Sequence, residues 1–182
     1  MSDDILAAVE ALNKGGVIAY PTEAVYGLGC DARNGKALQR ILDIKHREAH
    51  KGFILIASHQ DQLTSYLAPI QADWQQKLDA AWPGPVTFVM PASDAVSSLL
   101  SGQRDTLAVR VSQHPLVVKL CDAYGGAIVS TSANRSGHPA LQTGQDVQDE
   151  FGDLIDAIVD ANVGTLASPT HIFDIRTGQQ LR

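Results

Sequence analysis

The stretch "KHREAHKGFILIA", Lys45–Ala57, carries a helix end, a basic cluster and a strand in direct succession. Phe53–Ala57 is a short, unbroken apolar run rich in aromatic and β-branched residues. Such a run suits a central strand buried on both faces. Upstream, Ala37, Leu38, Ile41 and Leu42 recur at helical spacing behind Asn34, a good capping residue, so a helix over this segment ends near Lys45. A helix leading straight into a central strand is the signature of interleaved α and β elements.

The flanking chain repeats this alternation. Ser2 or Asp3 can cap a first helix whose face is Ile5, Leu6, Val9 and Leu12, stopped by Gly15-Gly16. "VIAY" (17–20) reads as a strand ended by Pro21, and "PTEAVYGLGCDA" (21–32) as a loop with two glycines. Ser58 with Asp61 resembles a capping box for a helix over "HQDQLTSYL". Ile70, Trp74, Leu78 and Ala81 mark a further helix, broken by "WPGP". "VTFVM" and the alternating "TLAVRV" read as strands. Pro115 opens a helix that Gly125-Gly126 closes. "AIVSTS" is a strand running into the polar turn "ANRSGHP". "LIDAIVDA" is compatible with helix or strand, and the tail "THIFDIRTGQQLR" suggests two strands around a Thr-Gly turn. There is no repeat, low-complexity tract or linker. The expectation is one α/β (α+β) domain over residues 1–182, built on a twisted mixed sheet with flanking helices.

Composition sets bounds on function. A chain of 182 residues with 45% hydrophobic and 19% charged residues suits one soluble domain. The acidic, amphipathic start is unlike a signal peptide, and no apolar run approaches a membrane span. Cys30 and Cys121 lie far apart without a CxxC, which argues against a disulfide scaffold or zinc ribbon and fits a reducing cytoplasm. The formal charge of -6 argues against bulk non-specific nucleic-acid binding. Charge is unevenly spread, however. Arg33–Lys51 holds six Lys/Arg against two Asp/Glu, whereas Arg135–Arg176 has no Lys or Arg between its ends. One cleft on an acidic body is therefore expected to be basic.

Several clusters can carry chemistry. Lys45 and Arg47 stand at a helix end, where cations favour the dipole in any case. With Lys51 they also make a candidate phosphate site, Arg as a planar fork and Lys as a mobile point charge. His46 and His50 have metal-pair spacing but no evident third ligand. Gly27 and Gly29 follow a strand end, where ligands of open α/β sheets sit. Ser132 and Asn134 are two apart and point the same way in extended chain. Arg110, inside an apolar strand, either points outward or meets a buried anion. The buried-type cysteines are not nucleophile candidates, and no catalytic triad can be assembled.

In order, "YPTEAVYGLGCDA", "KHR", "WPGPVTFV", "LAVRVSQHP" and "STSANRSG" resemble the YrdC/TsaC family of threonylcarbamoyl-AMP synthases, from about Leu6 to the C-terminus. The resemblance implies a single domain around a deep, positively lined cavity. It implies that L-threonine, bicarbonate or CO2, and ATP are joined to threonylcarbamoyl-adenylate and pyrophosphate. That product serves the modification of the adenosine beside the tRNA anticodon. Mg²⁺ is implied to arrive with ATP, with no metal site on the protein. The implied partners are these small molecules, a downstream threonylcarbamoyl transferase complex and, as an open question, tRNA itself. The implied catalytic set is Lys45, Arg47, Ser132 and Asn134. ATP falls to Lys45, Arg47, Lys51, Thr106, Asn134 and Arg182. Threonine falls to Thr22, Ala24, Ile56, Arg110, Ser132 and Thr170. Two departures stand out. Ala24 replaces a threonine seen in many relatives, which removes a hydroxyl from the pocket. Gly52 replaces a proline, which implies a freer loop. The competing expectation is an RNA-binding factor in tRNA or ribosome maturation without catalysis, which the 5% aromatic content disfavours for single strands.

Overall fold

The end signals in the sequence set most element boundaries. The computed structural model describes residues 2–166 and 170–182. In chain order the elements are α1 (Asp3–Asn13), β1 (Ile18–Pro21), β2 (Tyr26–Gly29), α2 (Gly35–Lys45), β3 (Ile54–Ala57), α3 (Ala72–Ala81), β4 (Val86–Pro91), α4 (Ser98–Ser101), β5 (Thr106–Val111), α5 (Pro115–Tyr124), β6 (Ile128–Ser132), α6 (Gly144–Phe151), β7 (Ala157–Ile158) and β8 (His171–Asp174). Short 3₁₀ segments cover Ala49–Lys51, Gln60–Tyr66 and Gly152–Leu154. Asn34 Oδ1 accepts from the backbone N–H groups of Lys36 and Ala37, so α2 starts where its cap requires. His46, in the left-handed region at φ 50, ends it. Pro115 sits in the first turn of α5, and Gly125 at φ 80 closes that helix.

Eight strands form one sheet in the order β7-β1-β2-β6-β3-β5-β4-β8. The β1–β7, β3–β5 and β4–β8 pairs are parallel and the others antiparallel, so the sheet is mixed as expected. The "FILIA" strand lies at its centre, between β6 and β5. Alternating residues feed two cores. Leu55, Ala57, Val129 and Ala19 pack with α2, α3 and α6 on one face. Ile56, Ile128, Ile18 and Tyr20 pack under α1 and α5 on the other.

Those two helices cover only part of their face, and the uncovered part explains the cavity. The strand registers align Gly27 with Ser132, then Ser130 with Ile54, Ala108 and Val89, and Val89 with Asp174. Most of these same-face residues are small or polar. They leave a concave floor where Ile56, Ile128 and Tyr20 fill the space beneath helices.

Some local expectations change. Leu6 is 52% exposed, and Ala8 takes its place on the buried face of α1. Residues 26–29 form strand β2 rather than loop. Gly29 is needed there because a Cβ would meet Val129 O at 2.5 Å and the Tyr20 ring at 2.8 Å. Ser58 does not cap a helix: its hydroxyl bonds Asp122, and a 3₁₀ segment follows. Strand β5 is buried along nearly its whole length rather than alternating, because it is central. Helix α6, capped by Thr143 Oγ1 accepting from Asp146 N at 3.1 Å, has no counterpart among the expected elements. "LIDAIVDA" becomes a 3₁₀ turn and the short edge strand β7. The tail makes β8 and returns as an isolated bridge from Phe173 to Gln180.

Candidate active site

The concave floor opens into a cavity of about 580 Å³. One rim is the Thr22–Val25 turn between β1 and β2. A second carries Arg47, Lys51, Gly52 and Arg104. A third is β8 with the C-terminal tail, and Ser130 to Ser132 border the floor.

Arg110 projects from β5 into this cavity and is only 6% exposed. Its Nη1 donates to Thr170 Oγ1 at 2.9 Å, and Nη2 lies 3.0 Å from Glu23 Oε2. Its Nε is buried with no partner among the described residues. Burial pushes its pKa down, opposed by the Glu23 charge. The sequence left Arg110 either outward or against a buried anion, and it meets one. Thr170 O also accepts from Arg182 Nη2 at 3.3 Å, so β8 and the tail bring both residues to the same wall. Thr22, Ala24 and Thr106 line the cavity, and Thr22 Oγ1 donates to Val25 O at 2.7 Å to fix its turn.

The Lys-x-Arg and Ser-x-Asn pairs meet through Lys45, which bonds to both Ser132 and Asn134. Lys45 is 2% exposed and does not line the cavity. Its ammonium donates to Ser132 O, to Asn134 O at 2.7 Å and to Asn134 Oδ1 at 3.1 Å. An ammonium has three N–H groups, so all are used inside the protein. Asn134 is equally committed: Oδ1 also accepts from Ser132 Oγ at 2.7 Å, and Nδ2 donates to Arg135 O and His138 O. Its side chain faces a neighbouring cavity of about 540 Å³ rather than the main one. Lys45 and Asn134 thus form a hydrogen-bonded knot that holds the β6 turn, with Ser132 on the cavity wall.

Arg47 does reach the cavity. Its Nη2 donates to Gly52 O at 3.1 Å, and its Nε is buried without a partner among the described residues. Burial lowers its pKa, and the Arg104 charge lowers it further. Arg182 is lowered by burial and then by Arg110. Lys51 lies on the rim, 3.5 Å from Glu48. Ile56 does not line the cavity. It is fully buried under α1 and α5, and Ile54, two residues earlier on the same face, takes the lining position.

Sequence reasoning missed Arg104, Arg176 and Glu23. Arg104 stands two residues before Thr106, and that spacing in extended chain was the available signal. Arg176 lines the wall while pairing with Asp174 at 3.1 Å. Among the described residues Asp174 is the one carboxylate in the lining, against six basic side chains. Gly52 is not the freer loop expected from its replacing proline. It holds φ 60, which proline cannot adopt, and a Cβ on it would meet Ser101 backbone atoms at 2.9 Å. His46 caps α2 and approaches Arg135, while His50 faces Glu48, so the two histidines do not converge. Among the described residues there is no group of three or more His, Cys, Asp or Glu side chains that could hold a metal, and no helix long and apolar enough to cross a membrane. Both cysteines are buried and free, and burial pushes the Cys121 thiol up to about 12.

A family model covering Sua5, YciO and YrdC, described as "Telomere recombination", matches residues 10–182. The chain belongs to the Sua5/YciO/YrdC family. Within this family it is similar to proteins named threonylcarbamoyl-AMP synthase. That of Halorhodospira halophila is 51% identical over 96% of this chain and 92% of its own. That of Vibrio vulnificus is 48% identical over 100% and 99%. Among family structures, P. abyssi Sua5 in complex with L-threonine superposes at a TM-score of 0.90 with 31% identity. The match covers 97% of this chain and 52% of Sua5, so this chain spans about half of that protein. E. coli YciO superposes at 0.79 with 28% identity, covering 93% and 82%.

Proposed function

We propose that the chain is an L-threonylcarbamoyladenylate synthase, a nucleotidyltransferase that joins L-threonine, bicarbonate or CO2, and ATP and releases pyrophosphate. The observation that carries this reading is Arg110: a buried guanidinium on the cavity floor suits a small carboxylate. The relatives' names and the L-threonine complex of Sua5 support threonine as the source of that carboxylate. Thr170, bonded to Arg110, and Thr22 and Ala24, which line the same cavity, complete a threonine pocket. Ala24 supplies no hydroxyl, so polar recognition rests on Arg110, Thr22 and Thr170.

The triphosphate lies along the second rim. Arg47, Lys51 and Arg104 offer charge there, Arg182 adds charge from the tail on the third rim, and Thr106 and Ser132 offer hydroxyls. Two of these arginines have pKa values lowered by burial and by neighbouring cations, so an anion would relieve both costs. Asp174 is engaged by Arg176, which supports Mg²⁺ travelling with ATP rather than residing on the protein.

The threonine amine adds to CO2 and loses a proton, forming an N-carboxylate. That carboxylate attacks the α-phosphorus, and pyrophosphate leaves. No enzyme nucleophile takes part; positioning and charge stabilisation carry the rate. Lys45 and Asn134 act by holding the turn that presents Ser132. The product serves tRNA modification through a downstream transferase in the cytoplasm.

Purified protein is expected to release pyrophosphate from ATP only when threonine and bicarbonate are both present. Equal release without them would refute the reading. Arg47→Ala is expected to lose roughly 100-fold or more in kcat/KM, in line with removal of a charge-stabilising donor, while its melting curve stays cooperative.

A further inference from the structure

Glu23 lies behind the cavity rather than in its lining, and it is 6% exposed. A buried carboxylate needs compensation, and its partners are specific. Oε1 accepts from Ser112 Oγ at 2.6 Å, and Oε2 faces Arg110 Nη2 at 3.0 Å. Ser112 is fixed in turn. Its N–H donates to Ala57 O at 2.9 Å, and its Oγ accepts from His114 N at 3.0 Å. The Glu23 backbone is held too: Glu23 O accepts from Leu166 N at 3.1 Å, and Gly164 packs so closely that a Cβ there would meet Glu23 O at 2.6 Å.

Arg110 is thus held at both terminal nitrogens, by a hydrogen bond to Thr170 on one and by the Glu23 charge, 3.0 Å away but outside hydrogen-bond geometry, on the other. A guanidinium has five N–H groups in a rigid plane. The Thr170 hydrogen bond and the Glu23 charge orient that plane and leave the remaining donors for a ligand carboxylate. We infer that Glu23, seated on Ser112, is a positioning residue for substrate: it sets the Arg110 fork at the angle that binds the amino-acid carboxylate. This rests on the proposed threonine role of Arg110. Glu23 contacts neither ATP nor the reacting atoms, so its influence passes through amino-acid binding and not through the phosphoryl step.

The test is calorimetric titration of the full chain with L-threonine, alongside steady-state pyrophosphate release. Glu23→Gln keeps the shape and removes the charge. It is expected to weaken threonine binding and raise the threonine KM by about tenfold, since a misplacement of ~1 Å can cost ~100-fold. The ATP KM should stay within about twofold and kcat within about threefold, a split that general loosening of the fold would not produce. Ser112→Ala should shift threonine binding in the same direction by less. In an Arg110→Gln background, adding Glu23→Gln should change threonine affinity no further, because a residue acting only through Arg110 has nothing left to act on.

Wild-type threonine affinity in Glu23→Gln would overturn the inference, and so would losses that add in the double variant. Glu23→Gln leaves the Arg110 charge buried without its partner and can fail to fold. Ser112→Ala and the charge-free double variant then decide, and unchanged threonine binding in Ser112→Ala counts against Glu23. Threonine-independent pyrophosphate release by the unaltered chain would overturn the synthase reading alone, while the titrations still judge Glu23.

Discussion

At the scale of single residues, Lys45 is a cation whose N–H groups are all spent inside the protein. Three oxygen acceptors favour its ammonium, yet burial, with Arg47 adding to it, pushes its pKa down to about 7. Unfolded lysine titrates near 10.4. Between about pH 7 and that value the unfolded chain binds the proton and the folded chain does not. The Lys45 contribution to stability therefore rises with pH, at most by ~1.4 kcal/mol per pH unit. Lys45→Met removes this slope. The melting-temperature difference between wild type and Lys45→Met is expected to widen in favour of wild type from pH 7 to 9. Parallel curves would show that Lys45 keeps its proton throughout. Arg104 is a simpler case: exposed, on the rim, and repelling Arg47. Arg104→Ala is expected to raise the ATP KM roughly two- to fivefold, the range of an exposed ionic contact. Its threonine KM should not change, and a shift in threonine alone would place Arg104 elsewhere in the reaction.

At the scale of elements, two basic segments are pinned together by backbone packing that no side-chain pattern announces. Gly102 follows α4 at φ 68, and a Cβ there would meet His50 O at 2.5 Å and Gly52 N at 2.6 Å. Phe53 N donates to Leu100 O at 3.0 Å beside this contact. The 3₁₀ turn carrying Lys51 and the loop carrying Arg104 therefore share one wall. Gly102→Ala adds left-handed strain of about 1–2 kcal/mol and a backbone clash. We expect a melting temperature lower by about 4–8 °C and a raised ATP KM, read by differential scanning calorimetry and pyrophosphate release. An Ala variant that melts like wild type would show that the two loops are not tightly packed. The same logic explains what was legible. α2, α5 and β3 announced themselves through caps and unbroken apolar runs. β2 did not, because Gly29 is there for a neighbouring ring and carbonyl, which only the fold brings near. α6 hid because its polar sequence buries only Val147 and Phe151 among its eight residues. Ile54 rather than Ile56 lines the cavity because the boundary of the covering helices decides which residue on that strand face meets it.

At the scale of the molecule, the floor of the cavity is buried and its rim is wet. Sequence charge implied a basic cleft on an acidic body, but not this radial division, which depends on the register of six strands. Arg110 sits on the floor with its own counter-charge, and Lys51, Arg104 and Arg176 sit at the mouth. Salt screens exposed charges over a Debye length of about 8 Å at physiological ionic strength and screens buried pairs far less. The two substrates should therefore respond differently to salt. Raising NaCl from about 50 to 500 mM is expected to raise the ATP KM severalfold, because the mouth loses its attraction for a polyanion against an acidic background. The threonine KM should stay within about twofold, because its carboxylate meets a guanidinium already shielded from solvent. Initial-rate pyrophosphate release at each salt concentration, with one substrate varied and the other saturating, measures both. If the two KM values rose in parallel, the rim and the floor would form one continuous field, and threonine and ATP would not be divided between them as proposed.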